Sequence, residues 1–311
     1  MTLDFSKPLY FLAPLAGLTD LPFRSVVKKF GADVTVSEMI SSNALAYNSK
    51  KTYKMLEKSP LENPYSIQIA GSDPEIIRRA VDIINEQDGV DIIDLNCGCP
   101  VPKVVNNLQG SALLTDLKKM GKAIESIKKY SNKEYTSVKI RLGFLEKNHL
   151  EIAKICEDSG ADFIAVHGRT RSGKFKAPVD YDAIAEIKEA INIPVIANGD
   201  IDSLDKAIWV LEHTKCDGIM IGRGAVGRPW IFKEIKDGIE YATKELIANV
   251  VLEHFEQMIN FYGDYGAILF RKHLHTYSKY GYSGATSFRD RVNRVTNIDE
   301  MRSIIQNFFN S

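Results

Sequence analysis

Gly89-Val90-Asp91-Ile92-Ile93-Asp94-Leu95-Asn96-Cys97-Gly98-Cys99-Pro100 is the stretch on which the fold turns. A glycine ends what precedes it, a short apolar run reads as a buried strand, and the run stops at a polar residue and two thiols. Gly160-Ala161-Asp162 and Lys215-Cys216-Asp217 introduce two further apolar runs in the same manner. A turn that closes a helix and leads straight into a buried strand is the joint of a repeated βα unit. Working outward, strands are expected at residues 10–13, 34–37, 66–70, 91–95, 137–141, 163–167, 195–198 and 218–221. Amphipathic stretches lie between them at 74–86, 117–129, 150–158, 181–190 and 204–212. This succession predicts an α/β fold, a (β/α)8 TIM barrel, for which about 250 residues is typical. A doubly wound parallel sheet is the alternative, because one sequence does not reveal strand order.

The alternation stops near Gly238. Helices are expected at 242–260, 267–278 and 298–309 with no strand between them, so the chain divides into a barrel domain at 1–240 and a small C-terminal all-α domain at 241–311. The 311 residues are 44% hydrophobic and 26% charged with formal net charge zero, so any nucleic-acid surface must be a local basic patch. Four cysteines without framework spacing fit a reducing compartment, and the first residues lack a signal-peptide pattern; a cytoplasmic location is expected. Residues 11–18 are apolar but too short to span a bilayer, so no membrane association is expected. A zinc site would need a second ligand pair besides Cys97 and Cys99, and Cys156 and Cys216 stand alone, so no metal is expected either.

Barrel chemistry sits at the C-terminal ends of the strands. Those ends here carry Gln68, Asn96, Lys139 with Arg141, His167, Asn198, and Gly222-Arg223. Lys139 and Arg141 are two apart and share one face of their strand. Inside a closed barrel such charges must emerge near the mouth or be buried at high cost. Each residue alone has an ordinary structural explanation; the succession favours a site. Asn198-Gly199-Asp200 and Gly222-Arg223-Gly224 follow the last two strands, where barrels frequently bind phosphate, and Arg223 adds a bidentate anion partner. Residues 222–227 also match G-x-G-x-x-G, but no second strand ending in an acid follows, so a dinucleotide turn is rejected.

Together these pieces resemble the tRNA-dihydrouridine synthase family, the bacterial B-type members most closely. The resemblance is carried by Ala13-Pro14-Leu15-Ala16-Gly17, Gln68-Ile69-Ala70-Gly71, Asn96-Cys97-Gly98-Cys99-Pro100, Lys139-Ile140-Arg141-Leu142-Gly143, Val166-His167-Gly168-Arg169-Thr170-Arg171, Asn198-Gly199-Asp200-Ile201 and the run from Ile221 to Trp230. It spans the barrel and weakens in the helical tail; Leu15 stands where methionine is commoner. The resemblance implies an FMN enzyme that reduces selected uridines of tRNA, with NADPH as electron donor and no obligate protein partner. By position, Pro14, Leu15 and Ala16 would line the flavin ring and Gln68 would bond its polar edge. Asn96 would help position flavin or base, and Lys139 and His167 would sit beside the flavin. Asn198, Gly199, Asp200, Gly222 and Arg223 would hold the ribityl-phosphate end. Reduction of uracil needs a hydride at C6 and a proton at C5, and an ordinary thiol, with a pKa of about 8.5, is a serviceable acid at neutral pH. Chemistry alone leaves Cys97 and Cys99 both open. The family pattern keeps Gly-Cys-Pro, which implies Cys99 as the acid and Cys97 as packing.

A stacked base must be extruded to reach the mouth. The tRNA contacts expected are Lys103, which shares with Asn106, Asn107 and Gln109 a loop predicted to close over the uridine; Arg141; Arg169 and Arg171 in a basic loop with Lys174 and Lys176; and Arg271, Lys272, Arg289, Arg291 and Arg294 in the tail. Phe270, Tyr277, Tyr280, Tyr282 and Phe288 are interleaved with the tail arginines and offer base stacking, or else a helical core. The alternative function is an FMN-dependent barrel reductase of a small pyrimidine-type substrate, which would not require the helical tail.

Overall fold

The aspartate that recurs before the strands has a physical task at the base of the sheet. Asp91 donates its backbone N–H to the Tyr65 carbonyl (3.0 Å), and its carboxylate accepts the Tyr65 N–H (2.8 Å). Asp162 makes the same reciprocal pair with Thr136, Asp217 with Val195, and Asp33 with Tyr10. Each clasp satisfies a backbone donor at the start of one strand and sets the register of the next. Gly31-Ala32-Asp33 is thus a fourth copy of the motif.

The computed structural model describes residues 2–47, 49–240 and 242–310. Its strands are β1 (Leu9–Leu12), β2 (Val34–Val36), β3 (Ile40–Ser41), β4 (Tyr65–Ala70), β5 (Ile92–Cys97), β6 (Tyr135–Arg141), β7 (Phe163–His167), β8 (Val195–Asn198) and β9 (Gly218–Ile221). All pairings are parallel; β2 pairs with β4 and β9 with β1, closing a (β/α)8 barrel from which β3 extends β4 as a short rim strand. The doubly wound alternative is excluded by that closure. The rim strand and the short helices Ser42–Ala46 and Lys50–Lys54 occupy a segment in which the sequence predicts no element.

Strand parity sorts side chains into two layers. Ile93, Leu95, Val138, Ile140, Ile164 and Val166 face outward and pack under the helices. Phe11, Ile92, Phe163, Ala165, Ile196 and Met220 fill the lower barrel interior. Above them the same inward parity delivers polar residues: Asp94 and Asn96 on β5, Ser137, Lys139 and Arg141 on β6, His167 on β7 and Asn198 on β8. The barrel is therefore apolar at its base and polar at its mouth.

Four helices end the chain: Lys244–Tyr262, Tyr265–Tyr277, Ala285–Val292 and Ile298–Phe309. Ala285–Val292 is additional to the expected three. The proposed boundary residue Tyr241 lies outside the described residues. These helices bury Phe255, Met258, Leu274 and Ile305 together with Val26 and Trp230 of the barrel. Phe270, Tyr277, Tyr282 and Phe288 are buried in the same core, which corrects the stacking expectation for them. With no sheet to cover, the helices fill their own interior with large rings.

Candidate active site at the barrel mouth

One cleft of about 660 Å³ opens at the C-terminal ends of the strands. Pro14, Leu15, Ala16, Gln68, Asn96, Cys99, Lys139, His167, Asn198, Gly199, Asp200, Gly222 and Arg223 all border it. Arg141 borders it too, so a residue expected to contact tRNA lies inside the mouth.

The apolar floor comes from the loop after β1. The Thr19 hydroxyl accepts the Leu15 N–H at 2.8 Å, and the buried Arg24 guanidinium donates to the Thr19 carbonyl at 3.2 Å while paired with Glu62 at 2.6 Å. Pro14-Leu15-Ala16 is thereby fixed against the barrel.

A chain of hydrogen bonds runs across the mouth from β6 to the cysteine loop. Ser137 Oγ donates to Asp94 Oδ1 (2.6 Å), Gln68 Nε2 donates to Asp94 Oδ2 (2.7 Å), and Asn96 Nδ2 donates to Gln68 Oε1 (2.7 Å). Asn96 Oδ1 then accepts the N–H groups of Gly98 (3.1 Å) and Cys99 (2.9 Å). Backbone N–H groups only donate and an ionised carboxylate only accepts, so both amides are oriented from both ends. Burial pushes the Asp94 carboxyl up to about 6, against hydrogen bonds from Ser137 and Gln68 that favour its charge. Asp94 and Ser137 are site residues absent from the sequence prediction. The available signal was parity: each stands two before a predicted residue on the same strand face.

Strand parity also separates the two thiols. Cys97 follows Asn96 on the outward face, is fully buried, and is held well above the usual thiol range by burial. Cys99 lies beyond the strand end, half-buried on the cleft. Both are free cysteines.

Lys139 Nζ donates to Asn198 Oδ1 (2.8 Å), and Asn198 Nδ2 donates to the Met220 carbonyl (2.7 Å). Enclosure by the barrel, then the Arg141 charge, brings the Lys139 ammonium down to about 8. Arg141 is lowered to about 10 by burial and by Arg169, and it is held by the carbonyls of Gly98 (2.7 Å), Thr170 (3.0 Å) and Lys174 (3.2 Å). His167 is pushed far below the usual imidazole range, first by burial and then by Lys139, Arg141, Arg169 and Arg223. Phe175, 49% exposed, lies against the Arg141 and Arg223 guanidiniums at 5.6 and 4.9 Å. Its place beside the cleft is not legible in the basic loop, where one aromatic among lysines carries no signal.

At the far end, Arg223 and Arg169 both pair with Asp200, whose carboxyl is held below its usual range first by the Arg169 hydrogen bond. Arg169 is 4% exposed, which corrects its expected place on a tRNA-facing loop: the turn at Gly168 folds it inward behind the cleft. Arg171 is half-buried with its guanidinium 4.8 Å from the Phe144 ring centroid. Lys103, Arg291 and Arg294 are exposed, Lys272 and Arg289 are half-buried, and Arg271 donates to the Val295 carbonyl at 2.8 Å. Among the described residues no group of three or more His, Cys, Asp or Glu could hold a metal ion, and no helix is long and apolar enough to cross a membrane.

A family model described as "Dihydrouridine synthase (Dus)" matches residues 11–311. The chain belongs to the dihydrouridine synthase family. A "Probable tRNA-dihydrouridine synthase" of Helicobacter pylori (strain ATCC 700392 / 26695) is 52% identical over 99% of this chain and 94% of its own length. The "tRNA-dihydrouridine synthase B" of Shewanella oneidensis is 40% identical over 97% of this chain and 96% of its own. Among solved structures, an old yellow enzyme homologue from Zymomonas mobilis is similar with a TM-score of 0.53 at 12% identity, covering 76% of this chain and 90% of that one. That likeness shows the fold alone. As a member of the family the chain is a flavin-dependent oxidoreductase.

Proposed function

We propose that the chain reduces the C5–C6 bond of specific D-loop uridines in tRNA, with FMN as its flavin and NADPH as electron donor. The observation that carries this reading is convergence: an apolar floor, a polar edge, a glycine-lined anion end and a half-buried thiol share one cleft. The anion end fits a phosphate. Gly199, Gly222 and Gly224 border the cleft beside Arg223, a cation with backbone unshielded by side chains. At Gly224 close packing on the Ile201 carbonyl, 2.3 Å from where a Cβ would stand, requires the glycine.

Pro14, Leu15 and Ala16 support the ring, with Gln68, Asn96 and Lys139 at its polar edge. Asn198, Gly199, Gly222 and Arg223 hold the ribityl-phosphate end. When bound, the flavin supplies the hydride taken by uracil C6. Cys99 gives its thiol proton to C5 from the loop above the mouth, and Lys139 provides positive charge where electrons enter the site. Lys103 on the cysteine loop closes over the extruded uridine. The region from 241 onward is the tRNA-binding domain, with Arg271, Lys272, Arg289, Arg291 and Arg294 directed at phosphate and Arg171 assisting from the barrel.

The test is mass spectrometry of tRNA from cells devoid of dihydrouridine, before and after this chain is supplied. Dihydrouridine reappears at D-loop positions. Turnover of free pyrimidines with unmodified tRNA would overturn the proposal in favour of a small-molecule reductase. The exposed pair Arg291→Gln with Arg294→Gln weakens tRNA binding and flattens the plot of log K against log salt by about 0.7–0.9 for each phosphate no longer neutralised. A slope unchanged in filter binding across salt concentrations would remove both residues from the interface.

A further inference from the structure

We infer that Arg169, held in place by Asp200, is a positioning residue that locks His167 in a single neutral tautomer, with the proton on Nδ1 and the Nε2 lone pair turned toward the guanidinium. Arg169 Nη1 lies 3.3 Å from His167 Nε2. A guanidinium carries donors and no acceptor, so the only hydrogen bond available to this pair has Nε2 as acceptor. The neutral ring then bears its proton on Nδ1.

The guanidinium is not free to turn away. Its Nη1 donates to Asp200 Oδ1 at 3.2 Å, its Nη2 donates to Asp200 Oδ2, and its Nε donates to the Ala177 carbonyl. The backbone is tied as well, because the Arg169 N–H donates to the His167 carbonyl at 2.7 Å across Gly168. Protonation of both ring nitrogens is opposed first by burial and then by the charges of Lys139, Arg141, Arg169 and Arg223. His167 borders the cleft, and among the described residues its Nδ1 has no hydrogen-bond partner. The lock therefore points one N–H donor at whatever occupies the cleft.

This assignment changes the role of Asp200. A carboxylate at a phosphate-binding end repels the phosphate if left bare; here its charge is taken up by Arg169 and Arg223, one behind His167 and one at the anion end. Asp200 thus acts through the two arginines rather than on the ligand. The inference rests on the proposed function only in naming the recipient of the Nδ1 proton donor, an acceptor atom of the flavin.

The test is long-range ¹H–¹⁵N correlation of the histidine-labelled holoprotein, with His167→Gln used to assign one of the six histidines. The expected result is a protonated Nδ1 and an unprotonated Nε2, unchanged from about pH 5 to pH 8, the range in which an ordinary histidine titrates. In Arg169→Met the proton moves toward Nε2 and a titration appears; Asp200→Asn gives a smaller shift of the same sign and serves if Arg169→Met does not fold. A wild-type ring protonated on Nε2, or a folded variant with the tautomer unchanged, overturns the lock. Flavin content and tRNA reduction are scored separately. Their failure with the tautomer intact counts against the proposed function alone.

Discussion

Cys99→Ala retains flavin and its reduction by NADPH, yet reduces uridine about 10²–10⁴-fold more slowly, the usual worth of one positioned general acid. The expectation of an undisturbed loop is structural. Cys99 is held by its backbone on both sides: its N–H by Asn96, and its carbonyl by the Ser111 N–H (3.1 Å) and hydroxyl (2.8 Å). Alanine preserves all three bonds and removes only the sulfur that borders the cleft. Cys97→Ala is the matched control, since it changes a buried side chain on the outer face of β5 and costs stability rather than chemistry. Single-turnover reduction of tRNA by pre-reduced enzyme separates the two. A folded Cys97→Ala protein as slow as Cys99→Ala would reverse their roles.

The second large effect falls on electron entry. Lys139→Met slows flavin reduction by NADPH about 10²–10³-fold, comparable with loss of one preorganised electrostatic donor, and lowers the flavin potential. The pH dependence has a definite sign. Lys139 is cationic below about pH 8 and neutral above it, so the rate of flavin reduction falls as pH rises through about 8 in the parent and loses that step in the variant. Stability responds in the opposite direction. The folded state holds the ammonium below the ordinary lysine pKa of about 10.4, so this group penalises folding at neutral pH, and the penalty lifts as pH rises from about 8 toward 10.4. Stopped-flow reduction and chemical denaturation over the same pH series check both signs. A parent enzyme whose reduction rate is flat through pH 8 would contradict the assignment.

Much of the barrel is legible because buried parallel strands are continuous apolar runs and because an aspartate introduces them. The aspartate is visible in sequence; its pairing with the previous strand is not, since that bond spans about 22–26 residues. The mouth is legible for a related reason, as polar residues at the ends of apolar runs are conspicuous. Asp94 is less so, because it interrupts a run rather than ending it. Arg169 reads as one of several cations in a polar loop, and only the turn at Gly168 shows that it faces inward. In the tail, aromatics and arginines alternate too irregularly to separate core from surface, and packing against Val26 and Trp230 decides it. The helix Ala285–Val292 is short and polar, so its sequence carries little apolar periodicity.

The row from Ser137 through Asp94, Gln68 and Asn96 to Cys99 has a direction. Every amide in it gives its proton toward Asp94 and offers its oxygen toward Cys99. Turning one amide alone would set N–H against N–H on one side and oxygen against oxygen on the other. The row is therefore all-or-none, and its reversed form leaves no lone pair for the Cys99 N–H. The Asp94 carboxylate at one end and the Gly98 and Cys99 N–H groups at the other thus fix the same direction, which couples the barrel interior to the loop carrying the thiol. Protonation of Asp94 below about pH 6 turns an acceptor-only group into one that can also donate, so that end of the row loses its constraint while the loop N–H groups keep theirs, and Asp94 is a polarity reference for a cysteine it never touches.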